Sequence, residues 1–125
     1  MAKARNILGL VAVLVILLSS FAHTILGWKS LQPRIAATGA PADLIVGLRI
    51  GWQWGGVAML GFGIICGAIF VHRLRGQNVS SFPAMVTGLL YVAFGAFALN
   101  LSGNPFFAVF IVPGVLLLIA SWPMR

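Results

Sequence analysis

The chain has 125 residues, 61% of them hydrophobic and 7% charged, and its formal charge of +7 sets eight Lys and Arg against one acid, Asp43. A soluble domain keeps roughly a quarter of its residues charged so that water can solvate its surface, and a disordered chain requires low hydrophobicity. Both classes are excluded, and the solvent of this chain is lipid.

Lys3 and Arg5 open the sequence, and from Asn6 to Trp28 it has no Lys, Arg or acid. At about 1.5 Å per residue this stretch crosses a hydrocarbon core of about 30 Å, which predicts a first transmembrane helix over about 7–28. Residues 29–42, with Lys29, Gln32, Pro33, Arg34, Gly39 and Pro41, read as an outer loop. Pro41 followed by Asp43 marks a helix start, its carboxylate near the positive end of the helix dipole. The second span runs over about 43–71, longer than a bilayer requires, so its first turns, with Arg49, project from the membrane or sit at its interface.

A basic inner loop, 72–81, follows and contains His72, Arg73 and Arg75. Ser80, Ser81 and Pro83 read as an N-cap region with proline in the first turn, and the third span covers about 82–101. The segment Asn100 to Pro105 breaks it, and a short fourth span over about 106–122 carries Pro113 as an internal kink. The predicted fold class is an all-α integral membrane protein, a four-transmembrane-helix bundle forming a single membrane domain over 1–125.

Orientation follows from the basic flanks. With both termini cytoplasmic, Lys3, Arg5, Arg73, Arg75 and Arg125 lie inside and Lys29, Arg34 and Arg49 outside, which obeys the positive-inside rule. The expected location is a bacterial cytoplasmic (inner) membrane. Trp28, Trp52 and Trp54 would then form an outer aromatic belt and Trp122 an inner one.

The most specific pattern is glycine spacing in the second span. Gly47, Gly51 and Gly55 recur every four residues, and the spacing resumes at Gly63 and Gly67. Each step of four drifts about 40° around a helix, so these glycines describe a slanting small-xxx-small groove that lets another backbone approach. Two readings stand: packing against the first or third helix of the same chain, or docking of another subunit, a lipid tail or a pigment.

His23 and His72 fall on opposite membrane faces and cannot jointly ligate one haem. His23 alone could hold a haem or chlorin metal or help bind a quinone; otherwise it is an interfacial residue hydrogen-bonded to its neighbours. Gln53, between Trp52 and Trp54, is the amide of the apolar part of the second span, and a buried amide seeks partners. His23, Trp52 and Gln53, with Arg49 nearby, form the candidate cofactor-binding cluster. The lone Cys66 reads as a small buried hydrophobe.

The absences narrow the function. No carboxylate lies securely within a span, whereas proton-coupled carriers usually need one. Length and helix count resemble those of the small multidrug-resistance transporters, whose essential first-helix acid has no counterpart here. There is no metal-ligand cluster, no phosphate loop and no nucleophile beside a base, so no enzyme is expected. No basic stripe with interleaved aromatics points to nucleic acid. The expected partners are membrane lipids and other membrane subunits, or a second copy. The sequence therefore reads as a non-catalytic small membrane subunit that packs against and stabilises a larger complex, respiratory or photosynthetic by analogy. The alternative is a protein binding haem, chlorin or quinone near His23, and a further one is a small facilitative carrier.

Overall fold

The apolar run after Lys3 forms a helix that does not stop where charges resume. In the computed structural model, which describes residues 2–122, helix α1 is continuous over Ala2–Ala36. It is α-helical over Ala2–Phe21, widens to a π-helix over Ala22–Gly27 and is α-helical again over Trp28–Ala36. The expected outer loop 29–42 is thereby corrected to a short connection over 37–41. Lys29, Leu31, Gln32 and Arg34 are good helix formers, and Pro33 removes only one backbone donor close to the helix end. Gly39, at φ +74°, turns the chain.

Helix α2 (Ala42–Leu74) starts after Pro41 with Asp43 in its first turn, as the sequence predicts. It closes in a Schellman turn: the Gln77 N–H donates to the His72 carbonyl at 3.0 Å and that of Gly76 to Arg73 at 3.1 Å. This motif places Gly76 in the left-handed region, at φ +78°. The predicted third-span start also holds. Ser80 Oγ accepts from the Phe82 N–H at 3.2 Å to open helix α3 (Phe82–Ser102), with Pro83 in its first turn. Asn104 then caps the 3-10 turn Pro105–Phe107, which leads into helix α4 (Ala108–Ser121).

Three of these helices are long and apolar enough to cross a membrane, and the apolar stretch Pro105–Ser121 is a shorter fourth. Helix α1 lies between α2 and α4, α3 packs along α4, and α2 touches α3 only sparsely. The core joins Ala12 and Ile16 of α1, Cys66 and Phe70 of α2, Tyr91 of α3 and Leu117 of α4. Cys66 is fully buried, as expected of a small hydrophobe.

In lipid, apolar side chains gain little by hiding from apolar tails, so close packing has to hold helices together. The contact between α3 and α4 does this with a seam that the sequence reading did not single out. A Cβ on Gly88 would stand 2.9 Å from the Gly114 carbonyl, and one on Gly114 would stand 2.9 Å from the Gly88 carbonyl. A Cβ on Gly95 would stand 2.7 Å from the Ile111 side chain and 3.1 Å from its backbone nitrogen. The seven-residue spacing of Gly88 and Gly95, two turns on one face, was the available signal.

Arg5 has a more specific role than a flanking charge. Its guanidinium donates to the Ile119 carbonyl at 2.8 and 3.1 Å and also to the carbonyls of Ala120 and Trp122. These groups end α4 without intrahelical partners, at the negative end of its dipole. Ser81 Oγ donates to the Ser121 carbonyl at 2.9 Å beside them. Both ends of the described chain therefore meet at one end of the molecule, called here the near end. Arg125, expected at this end, lies outside the described residues.

From this shared base the helices rise to different heights. Helices α1 and α2, of 35 and 33 residues, are each about 50 Å long, and α3, of 21 residues, about 31 Å. The α1–α2 hairpin thus outruns α3 and α4 by roughly 15–20 Å at the far end.

Replacing Gly88 or Gly114 by Leu should force apart two backbones that cannot yield. The expected cost is about 1–3 kcal/mol, read as a lower thermal unfolding midpoint in detergent. Gly61→Ala, where a Cβ meets nothing within 4 Å, should leave the midpoint unchanged or raise it. Unchanged midpoints in both leucine variants would contradict the seam.

Candidate functional site

Where α3 ends, α1 and α2 have only each other, and there the π-helix of α1 meets Trp52 of α2. Trp52 Nε1–H donates to the His23 carbonyl at 2.7 Å, and His23 Nε2 lies 3.1 Å from the Trp52 carbonyl. A carbonyl can only accept, so this His23 nitrogen carries the proton. The two rings stack with centroids 4.2 Å apart and planes 7° from parallel. Gln53 Nε2 donates to the Thr24 carbonyl at 3.2 Å, and one turn nearer the core Ser20 Oγ donates to the Gly56 carbonyl at 2.9 Å.

The result is a reciprocal clasp. Each helix lends the other donors for carbonyls that already serve its own backbone and keep a second lone pair. The π turn shifts the register of α1 where this exchange occurs, as inserted residues in helices commonly do at interaction sites. Glycines make the room. A Cβ on Gly27 would stand 2.8 Å from the Trp52 ring, one on Gly55 3.2 Å from His23 Nε2, and one on Gly56 would collide with the Thr24 hydroxyl.

The predicted cluster is therefore partly assembled. His23, Trp52 and Gln53 come together, but their polar atoms are directed at backbone carbonyls of the opposite helix. Arg49 is exposed and takes no part. Trp28, expected in the outer aromatic belt, is turned inward instead and is 5% exposed, packing against Trp52. Trp54 and Trp122 are exposed, as belt residues would be.

The predicted glycine groove divides in two. Gly63 and Gly67 pack on Leu17 and Val13 of α1, and Gly55 on His23. Gly47 and Gly51 face open space, with nothing within 4 Å of a Cβ. Together with Leu44, Leu48, Gly55, His23 and Trp52 they line an open groove of about 470 Å³ along α2. Its surroundings are mostly apolar: Leu44, Val46, Leu48, Ile50 and Trp54 are all exposed, Ile50 at 66% and Trp54 at 70%, with Arg49 and Asp43 the exposed charges among them.

Among the described residues no three His, Cys, Asp or Glu side chains gather as a metal site. His72, at the near end, is separated from His23 by most of the length of α2. Comparison with family models, with curated proteins and with solved structures finds no match for this chain.

Trp52→Phe retains the stack and removes the indole donor to His23. It should cost about 1 kcal/mol and raise hydrogen exchange in residues 42–56 while leaving 59–71 protected. A uniform rise along α2, or none, would show that the clasp does not hold the far end.

Proposed function

We propose that the protein is a small non-catalytic integral membrane subunit that crosses the bilayer four times with both ends cytoplasmic. Its projecting α1–α2 hairpin docks an apolar helix of a larger membrane partner. The observation that carries this reading is the unpartnered, glycine-floored face of α2 around Gly47 and Gly51. Placing the near end at the inner headgroups follows the basic cluster there, Lys3, Arg5, Arg73 and Arg75. The clasp then lies roughly 30 Å higher, at the outer edge of the hydrocarbon.

Gly51 stands about 1.5 Å and Gly47 about 7.5 Å beyond Trp52 along α2, at and above that edge, with Leu44, Val46, Leu48 and Ile50 exposed around them and Arg49 and Asp43 as the exposed charges of this stretch. An apolar surface of this kind at and above the edge of the hydrocarbon calls for a protein cover. Exposed glycines suit a helix in particular, because they let a second backbone come close.

The same groove bears on the alternative in which His23 binds a haem, chlorin or quinone. In the geometry described, Nε2–H of His23 is spent on the Trp52 carbonyl and one ring face on the indole. Ligating a metal through Nε2 would dismantle the clasp, which favours a structural role. A purified chain without a Soret or Qy band is the expected result.

Because Gly47 and Gly51 make no internal contact, a bulky residue there separates docking from folding. Purified from native membranes in mild detergent, the wild-type chain should migrate with a second polypeptide. Gly51→Leu should migrate without it at an unchanged unfolding midpoint. A wild-type band containing only this chain, or a Gly51→Leu variant that keeps its partner, would overturn the reading.

A further inference from the structure

At the near end, remote from the groove, an open hollow of about 540 Å³ lies between the first turns of α1 and the α2–α3 turn. Asn6, Arg73, Gln77, Asn78 and Ser80 are among the residues that line it. Two of these hold buried polar atoms with no partner among the described residues, Asn6 Oδ1 and Arg73 Nη1. Asn6 is itself 5% exposed. A buried donor or acceptor left unpaired forfeits its hydration without compensation, and the penalty is larger for a charged group.

The chain cannot supply the missing anion from its own acidic side chains. Asp43 is its one acid; it opens the helix that Arg73 helps to close, about 45 Å away. Nor does any other group among the described residues at this end offset the charge. Arg5 is occupied by the carbonyls at the end of α4, and Lys3 and Arg75 add two exposed positive charges around the hollow.

We propose that this hollow binds a phosphate group, either free phosphate or the phosphodiester of a lipid headgroup such as phosphatidylglycerol. The planar guanidinium of Arg73 donates to the phosphate oxygens, a pairing its geometry suits. Asn6 Oδ1 accepts from a hydroxyl, which free phosphate carries on phosphorus and phosphatidylglycerol on its glycerol. With the amide turned over, Nδ2 donates to a phosphate oxygen from the same position, so either orientation serves the ligand. Ser80 Oγ accepts from the Phe82 N–H and keeps its own proton to donate. The site is independent of the partner groove and stands or falls separately from it.

The test reads the unfolding midpoint of the full chain in phosphatidylcholine nanodiscs. One arm adds inorganic phosphate against chloride of equal ionic strength, and the other includes phosphatidylglycerol. The midpoint should rise in at least one arm. A rise with phosphatidylglycerol alone identifies the lipid headgroup, and a rise with inorganic phosphate identifies the free anion. Arg73→Gln should weaken the dependence roughly tenfold, as expected for loss of a charge-assisted hydrogen bond, and Asn6→Ala should weaken it in part. Lys3→Gln and Arg75→Gln should keep it.

No rise in either arm, or an equal loss in Arg75→Gln and Arg73→Gln, would overturn the site. Should Arg73→Gln fail to fold, native mass spectrometry of wild type and Arg73→Lys gives the same reading. Adducts retained on wild type and reduced on Arg73→Lys support the site. A wild type that retains none refutes it.

Discussion

The exchange of hydrogen bonds between His23 and Trp52 is the interaction on which the far end of the molecule depends. Below it α1 is held from two sides, by α2 and α4. Above it α3 and α4 have ended, and two long helices remain with no third element to lean on. Leucine against leucine offers little cohesion where the surroundings are themselves apolar. Two backbone carbonyls are therefore recruited across the gap, each reached by the other residue's ring N–H. The rings stack over one another beside these bonds, and three glycines let the backbones approach. Gln53 adds a bond to Thr24 beside them, and Ser20 extends the same device one turn nearer the core.

The near end follows a different logic. Arg5 gathers the terminal carbonyls of α4, and Ser81 ties the α2–α3 turn to the same helix end. The α1–α2 hairpin is thus tied at the base and clasped again where α3 ends. Being held at two levels gives the open face around Gly47 and Gly51 its meaning in the proposed function. A groove on a floppy arm would have to be ordered on binding, at a cost in affinity, whereas this one is presented ready-made.

Much of the framework was legible from local chemistry. Asp43 after Pro41, Ser80 with Pro83, and the break at Asn100–Pro105 mark helix ends, because capping and proline geometry act within a few residues. The union of His23 with Gln53 was also readable, since an antiparallel first helix brings those depths together. What the sequence hid were matters of rotation and reach. Gly47 and Gly63 belong to the same spacing pattern, yet one faces open space and the other Leu17, because the small drift per step carries them to different sides of α2. Trp28 has the composition of a belt residue, but the π turn swings it inward onto Trp52. Helix α1 continues to Ala36 because a polar sequence of good helix formers is as much a helix in water as a loop. Arg5 reads as a topological marker, and only the return of α4 to its side reveals it as a cap.

In the proposed function Gly47 and Gly51 stand at and above the outer edge of the hydrocarbon and are covered there by a partner. The most direct measurement is the reactivity of single cysteines at 47, 51 and 63 toward a membrane-impermeant maleimide, in the reconstituted chain and in native membranes. Cys66, being fully buried, stays silent as background. Positions 47 and 51 should react in the reconstituted chain and become protected in native membranes, while position 63 should react in neither. Unreactive 47 and 51 in the reconstituted chain, or equal reactivity in native membranes, would contradict this reading.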